Sequence, residues 1–177
     1  MAGRQPGWTL GIDPGSQVTG FGVVEKNGSR LLHLGSGSIR LSTQPSLYLR
    51  LEKIHRGLQE IIREYLPTEV AVEKVFMAKN VHSALTLGHA RGAALLAAVE
   101  AGLELFEYSP LEIKKAVTGY GRADKAQVQS MIKALLSLKT VRSPDVSDAL
   151  AAAVCHLNWF RALPVSHDRL SDRSSAV

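Results

Sequence analysis

The chain has 177 residues, enough for one domain with a real core, and its 45% hydrophobic and 21% charged content is that of an ordinary globular protein. No stretch approaches about 18 consecutive apolar residues, which excludes a transmembrane helix, and the polar opening segment lacks the apolar centre of a signal peptide, so a cytoplasmic protein is expected. The net charge of +5 points only weakly to a polyanionic partner, and the single cysteine, Cys155, excludes an internal disulfide or a multi-thiolate zinc site.

Thr9-Leu10-Gly11-Ile12 reads as a short buried strand that ends at Asp13, where Pro14-Gly15 supplies turn chemistry. Thr19 to Glu25 is a second strand, Asn27-Gly28 a hairpin turn, and Arg30 to Ile39 a third strand. Strands joined this tightly must be antiparallel neighbours. The period then changes. Leu47, Leu51, Ile54, Leu58, Ile61 and Ile62 fall at helical spacing, and Pro67 stops that helix. Val70-Ala71-Val72 is a buried strand leading to Glu73, Val81 to Val99 a long apolar helix, and Glu104 to Tyr108 a fifth strand. Further helices are expected over Pro110 to Val117, Asp124 to Leu136 and Pro144 to Trp159.

A right-handed crossover lays the fourth and fifth strands parallel to the first. The expected fold is therefore α/β, a five-stranded mixed sheet (three antiparallel strands, then two parallel) flanked by helices. Residues 1–160 form the domain, and 161–177, polar from Pro164 onward, read as a disordered tail.

Four acids carry the chemistry of this reading. Asp13 and Glu73 each end a strand, and adjacent parallel strands place their carboxyl ends side by side, where open α/β sheets form their crevices. Asp145 and Asp148 are three apart behind a Ser143 N-cap and Pro144, so both can point from one helical face. Each has a plainer reading. Asp before Pro-Gly is a common turn opener, a strand-end Glu can be paired, and acids in a first turn suit the helix dipole. Taken together, three elements bring like charges to one end of one sheet, and such charges repel unless cations bridge them. Hard oxygen donors without a His or Cys cluster favour magnesium or manganese over zinc. Two such ions about 3.5–4 Å apart suit phosphodiester hydrolysis. His82, His89 and His156 show no zinc-protease spacing and are read as structural or surface residues, as Cys155 is read as packing.

Between Pro110 and Arg142 seven basic residues face two acidic ones, which reads as a phosphate-facing surface or a solvated helical face. Phe76 follows the fourth strand in a segment with Met77, Lys79 and Asn80, and could stack on an unpaired base or fill the core. Ala84, Gly88 and Gly92 make a small-residue stripe, suited to a two-fold contact or to packing on the sheet.

Several strings in this order resemble the RuvC family of bacterial Holliday-junction resolvases, RNase H-like crossover junction endodeoxyribonucleases. They are Gly11-Ile12-Asp13-Pro14-Gly15, Thr19-Gly20-Phe21-Gly22, Glu73-Lys74-Val75-Phe76-Met77-Ala78-Lys79-Asn80, Ala90-Arg91-Gly92, Gly119-Tyr120-Gly121 and Asp145-Val146-Ser147-Asp148-Ala149-Leu150, spanning about residues 8–159. The Glu-X-Val-Phe-X-Ala-X-Asn string is the specific one. The resemblance implies a homodimer that binds four-way junction DNA and nicks two opposing strands symmetrically with magnesium. It places the catalytic, metal-holding acids on Asp13, Glu73, Asp145 and Asp148. It also places the base-stacking aromatic on Phe76 and DNA-contacting lysines on Lys114 and Lys125. It further implies work alongside the RuvA–RuvB branch-migration complex.

Three other readings compete. A sugar-kinase or Hsp70-like ATPase half also opens with strand, Gly and Asp, but that fold needs two such domains, more than 177 residues supply. An RNase H-like enzyme acting on structured RNA would carry the same acids. A non-catalytic junction-binding protein would have no need of all four.

Overall fold

The computed structural model describes residues 7–74 and 81–159. Five strands form one sheet: β1 (Trp8–Asp13), β2 (Val18–Asn27), β3 (Arg30–Arg40), β4 (Glu69–Glu73) and β5 (Glu104–Tyr108), in the order β3-β2-β1-β4-β5. The pairs β1–β2 and β2–β3 are antiparallel and β1–β4 and β4–β5 parallel, which is the mixed sheet expected. The helices are α1 (Leu47–Tyr65), α2 (Val81–Glu100), α3 (Pro110–Thr118), α4 (Lys125–Leu135) and α5 (Pro144–Trp159). The element boundaries match the sequence expectations to within a residue or two. Among the described residues no helix is long and apolar enough to cross a membrane.

Local chemistry explains the helix ends. Ser46 accepts a bond from the Leu49 amide at the start of α1, and Ser109 with Glu112 and Asp124 with Gln127 form reciprocal capping boxes on α3 and α4. α1 ends one residue ahead of the proline, at Leu66, whose φ of 49° is the left-handed conformation that closes a helix.

Strand alternation divides the core in two. Leu10, Ile12, Val23, Val70 and Val72 face α1 and α2, while Ala71 and Val24 face α3, α4 and α5. By the same alternation Gly11 and Asp13 on β1, and Glu69, Ala71 and Glu73 on β4, share the α5 side. α5 lies directly across β1 and β2 because its footprint falls on glycines. A Cβ on Gly11 would overlap the Ala149 carbonyl, and one on Gly20 the Asp145 carbonyl. Nearly all of α5 from Val146 to Leu157 is buried as a result.

Behind the strand ends is a buried polar chain. His156, 0% exposed, meets Glu69 Oε2 at 2.7 Å through Nε2 and the Tyr108 hydroxyl at 2.7 Å through Nδ1. A neutral imidazole satisfies both ends, donating to the carboxylate and accepting from the phenol, and burial keeps that phenol protonated well above its usual range.

Candidate active site

β1 and β4 are parallel neighbours whose last paired residues are Ile12 and Val72, so Asp13 and Glu73 are the next residue on each strand. Asp13 is also paired with Gly20 on β2, and Gly20 is where α5 comes closest at Asp145. That single contact point brings the first turn of α5 over the end of β1. Ser143 caps it, accepting from the Val146 amide at 3.3 Å. The electrostatics follow from that proximity. Asp13 is pushed up to about 7 by burial first, then by the negative charges of Asp148, Asp145 and Glu73. Glu73 is also raised, by burial and by Asp148, against the opposing pull of Lys125, Lys114 and Arg91. All four acids predicted from the sequence therefore interact at one place.

Lysines complete it. Lys125, the first residue of α4, donates to Asp148 Oδ2 at 2.7 Å, and the carboxylate holds its ammonium above the ordinary lysine value. Lys114 on α3 joins Lys125, Glu73 and Asp148 in lining a cleft of about 310 Å³. The two lysines are thus beside the acids, rather than on a remote surface. Arg91 on α2 donates to the Glu73 carbonyl at 2.7 Å and pairs with Glu107, which fixes the end of β4 from behind.

The donor set suits a hard divalent cation. It consists of carboxylate oxygens only, partly buried and mutually repelling, so a cation offsets a charge excess that protonation of Asp13 otherwise relieves. Among the described residues no group of three or more His, Cys, Asp or Glu side chains is already gathered as a finished ion site. His82 and His89 are exposed, and His156 is bonded inside the core. Phe76, the predicted stacking residue, lies outside the described residues.

Sequence reasoning missed the Lys125–Asp148 pair, the Arg91 brace and the Glu69–His156–Tyr108 chain. Each joins residues at least 16 positions apart, and no local period marks such partners.

Comparison with known proteins agrees with this geometry. The sequence profile described as Crossover junction endodeoxyribonuclease RuvC matches residues 9–156. Proteins of that name from Geobacter sulfurreducens and Citrifermentans bemidjiense are 54% and 57% identical to this chain. They align over 84% and 83% of this chain and 91% and 90% of their own lengths. The solved structure "T. thermophilus RuvC in complex with Holliday junction substrate" superposes with a TM-score of 0.84 at 35% identity, covering 88% of this chain and 96% of that one. The yeast mitochondrial Holliday junction resolvase Ydc2 shares the fold, with a TM-score of 0.64 at 13% identity, over 87% of this chain and 79% of that one. Sheet order, helix placement and the acidic centre define an RNase H-like α/β protein. The chain belongs to the RuvC family.

Proposed function

We propose that this chain is a Holliday-junction resolvase, an endonuclease that cuts two opposing strands of a four-way DNA junction symmetrically in recombination and repair. The observation that carries the reading is the convergence of Asp13, Glu73, Asp145 and Asp148 at the carboxyl ends of β1 and β4, in a chain of the RuvC family. In this reading the four carboxylates hold magnesium, with manganese as a substitute. When bound, such cations would supply positive charge to the reacting phosphate and make a water acidic enough to attack it.

The chain's own groups do the rest. Asp13, raised to about 7, is ready to give up a proton as a cation arrives. Lys114 and Lys125, on the cleft wall beside Glu73 and Asp148, hold the backbone phosphate against the acids. Phe76, close behind β4, stacks on a base unpaired at the opened crossover. Residues 1–160 form the nuclease domain, and 161–177 form a tail outside it.

Symmetric cutting asks for two centres, hence a homodimer. Ala84, Gly88 and Gly92 are exposed on α2, and a Cβ on either glycine would meet nothing within 4 Å among the described residues. Their stripe is therefore not spent on the chain's own sheet. With Leu85 and Val81, also exposed, it offers a close-approach surface for a second copy. The RuvA–RuvB complex is the proposed cellular partner, on the strength of the family resemblance.

The test is incubation of the protein with a synthetic four-way junction, a matched duplex and a structured RNA, with and without magnesium. Paired nicks at the junction alone, only with magnesium, are expected. Cutting of RNA in preference to the junction, or binding without nicking, would overturn the reading.

A further inference from the structure

Beside the α5 N-terminus lies a second cleft, of about 320 Å³, lined by Gln129, Lys133, Lys139, Arg142, Ser143 and Pro144, among others. Its charge is one-sided. Three cations line it, no carboxylate does, and none of the three has an ion-pair partner among the described residues. Elsewhere cations next to carboxylates are paired, as Arg91 is with Glu107 and Lys125 with Asp148. Uncompensated cations around one concavity repel one another, and that repulsion is relieved when a polyanion enters.

The cleft is continuous with the active site along one helix. Lys125, Gln129 and Lys133 are spaced four apart on α4, so they form one stripe running from the Asp148 carboxylate to the cleft. Eight residues of helix cover about 12 Å, enough to reach a backbone phosphate a few nucleotides along one DNA strand. At its other end the cleft wall includes Pro144, the residue before Asp145.

We propose that Lys133, Lys139 and Arg142 form a second phosphate-binding site, which holds the backbone of the DNA strand a few nucleotides from the cut phosphate. The inference rests on the nuclease reading and specifies how that nuclease grips its substrate. Arg142 can bind a phosphate bidentately, while the two lysines act as point charges. Gln129 and Ser143 add neutral polar groups to the lining, which suits a phosphodiester better than a bare anion site would. The site reads no bases and contributes register and affinity.

Lys139 and Arg142 are exposed, so Lys139→Gln/Arg142→Gln removes charge without disturbing the core. Junction binding by wild type and variant would be measured across a salt series. Each lost phosphate contact lowers the slope of log affinity against log salt by about 0.9, so a fall of roughly 1–2 is expected, with weaker binding at low salt. A second arm replaces single phosphates by uncharged methylphosphonates along the cut strand. A substitution a few nucleotides from the cut should weaken wild-type binding severalfold and leave the variant unchanged. Equal slopes for the two proteins, or equal sensitivity of both to every methylphosphonate, would overturn the second site. Failure of the wild type itself to bind or nick a junction would instead sink the nuclease reading.

Discussion

Lys125 Nζ and Asp148 Oδ2 lie 2.7 Å apart, an ion pair between the start of α4 and the N-terminal half of α5 that joins residues 23 positions apart in the chain. The ammonium also faces Asp13 and Asp145, so one side chain neutralises part of the whole acidic cluster. A cation would compete with it for the Asp148 carboxylate, and a DNA phosphate would compete with that carboxylate for the ammonium. Replacing it with Met removes that charge and leaves the hydrocarbon stem. Lys125→Met is expected to raise the Asp13 value above about 7, because among the described residues Lys125 is the group that pulls it down. It should also weaken junction binding and flatten its salt dependence by about one phosphate contact. Carboxyl NMR titration and a salt series check the two halves. Unchanged titration would place Lys125 away from Asp13 in solution.

The acids should separate cutting from holding. Asp13→Asn, Glu73→Gln, Asp145→Asn and Asp148→Asn are each expected to nearly abolish nicking while junction binding survives, since phosphate contacts supply most of the affinity. Asp13 adds a pH signature. Its folded value of about 7 stands above the ordinary 3.8, so the native state binds the proton more tightly than the unfolded chain does. Ion-free stability is thus unpenalised below about 4 and declines as pH rises towards 7. Without added metal, Asp13→Asn should melt close to wild type at pH 4 and higher than wild type at pH 8. Equal melting at both pH values would remove the strain argued for that carboxylate.

Gly20 offers a test of how the site is assembled. A methyl group there would meet the Asp145 carbonyl, which is backbone and cannot swing away. Gly20→Ala should cost about 1–3 kcal/mol through overpacking and push the first turn of α5 off β1. Nicking by the folded fraction should then fall well beyond the loss of stability. Denaturant unfolding and junction cleavage on one preparation decide it. A loss of activity no larger than the unfolded fraction would mean that α5 adjusts without moving its acids.

For Phe76 the stacking and core readings predict opposite losses. As a core residue, Phe76→Ala would cost about 3–5 kcal/mol of stability. As a stacking residue it should leave melting nearly unchanged and cost about 1–3 kcal/mol in DNA interaction, with partial rescue by Phe76→Trp. The stacking outcome is expected. Junctions pre-opened by central mismatches should then depend less on Phe76, because part of the unpairing cost is already met.

The fold was readable because its signals are local. The apolar run of β1, period 3.6 in α1, Asn27-Gly28 at the hairpin and the cap at Ser143 each act within a few residues. Asp13, Glu73, Asp145 and Asp148 were legible for a related reason. Asp13 and Glu73 end neighbouring strands, which sheet topology brings together, and Asp145 and Asp148 sit three apart near the start of a helix with a visible cap. The glycines were visible as a motif, but their purpose was not. Only the packing shows that Gly11 and Gly20 are the places where α5 comes down on the sheet. His156 was read as structural or surface, and its buried bonds to Glu69 and Tyr108 place it among the structural residues, with partners 87 and 48 positions away.

α5 contributes two of the four acids and is also a main wall of one half of the core. Drift in its sequence is consequently punished twice, once as lost folding and once as lost chemistry, and few neutral paths lead away from it. Variation that retunes DNA preference has more room in the exposed stretch around Lys139 and Arg142, where a change of charge leaves the interior untouched. Diversification among relatives should therefore concentrate beside the catalytic helix and spare the helix itself.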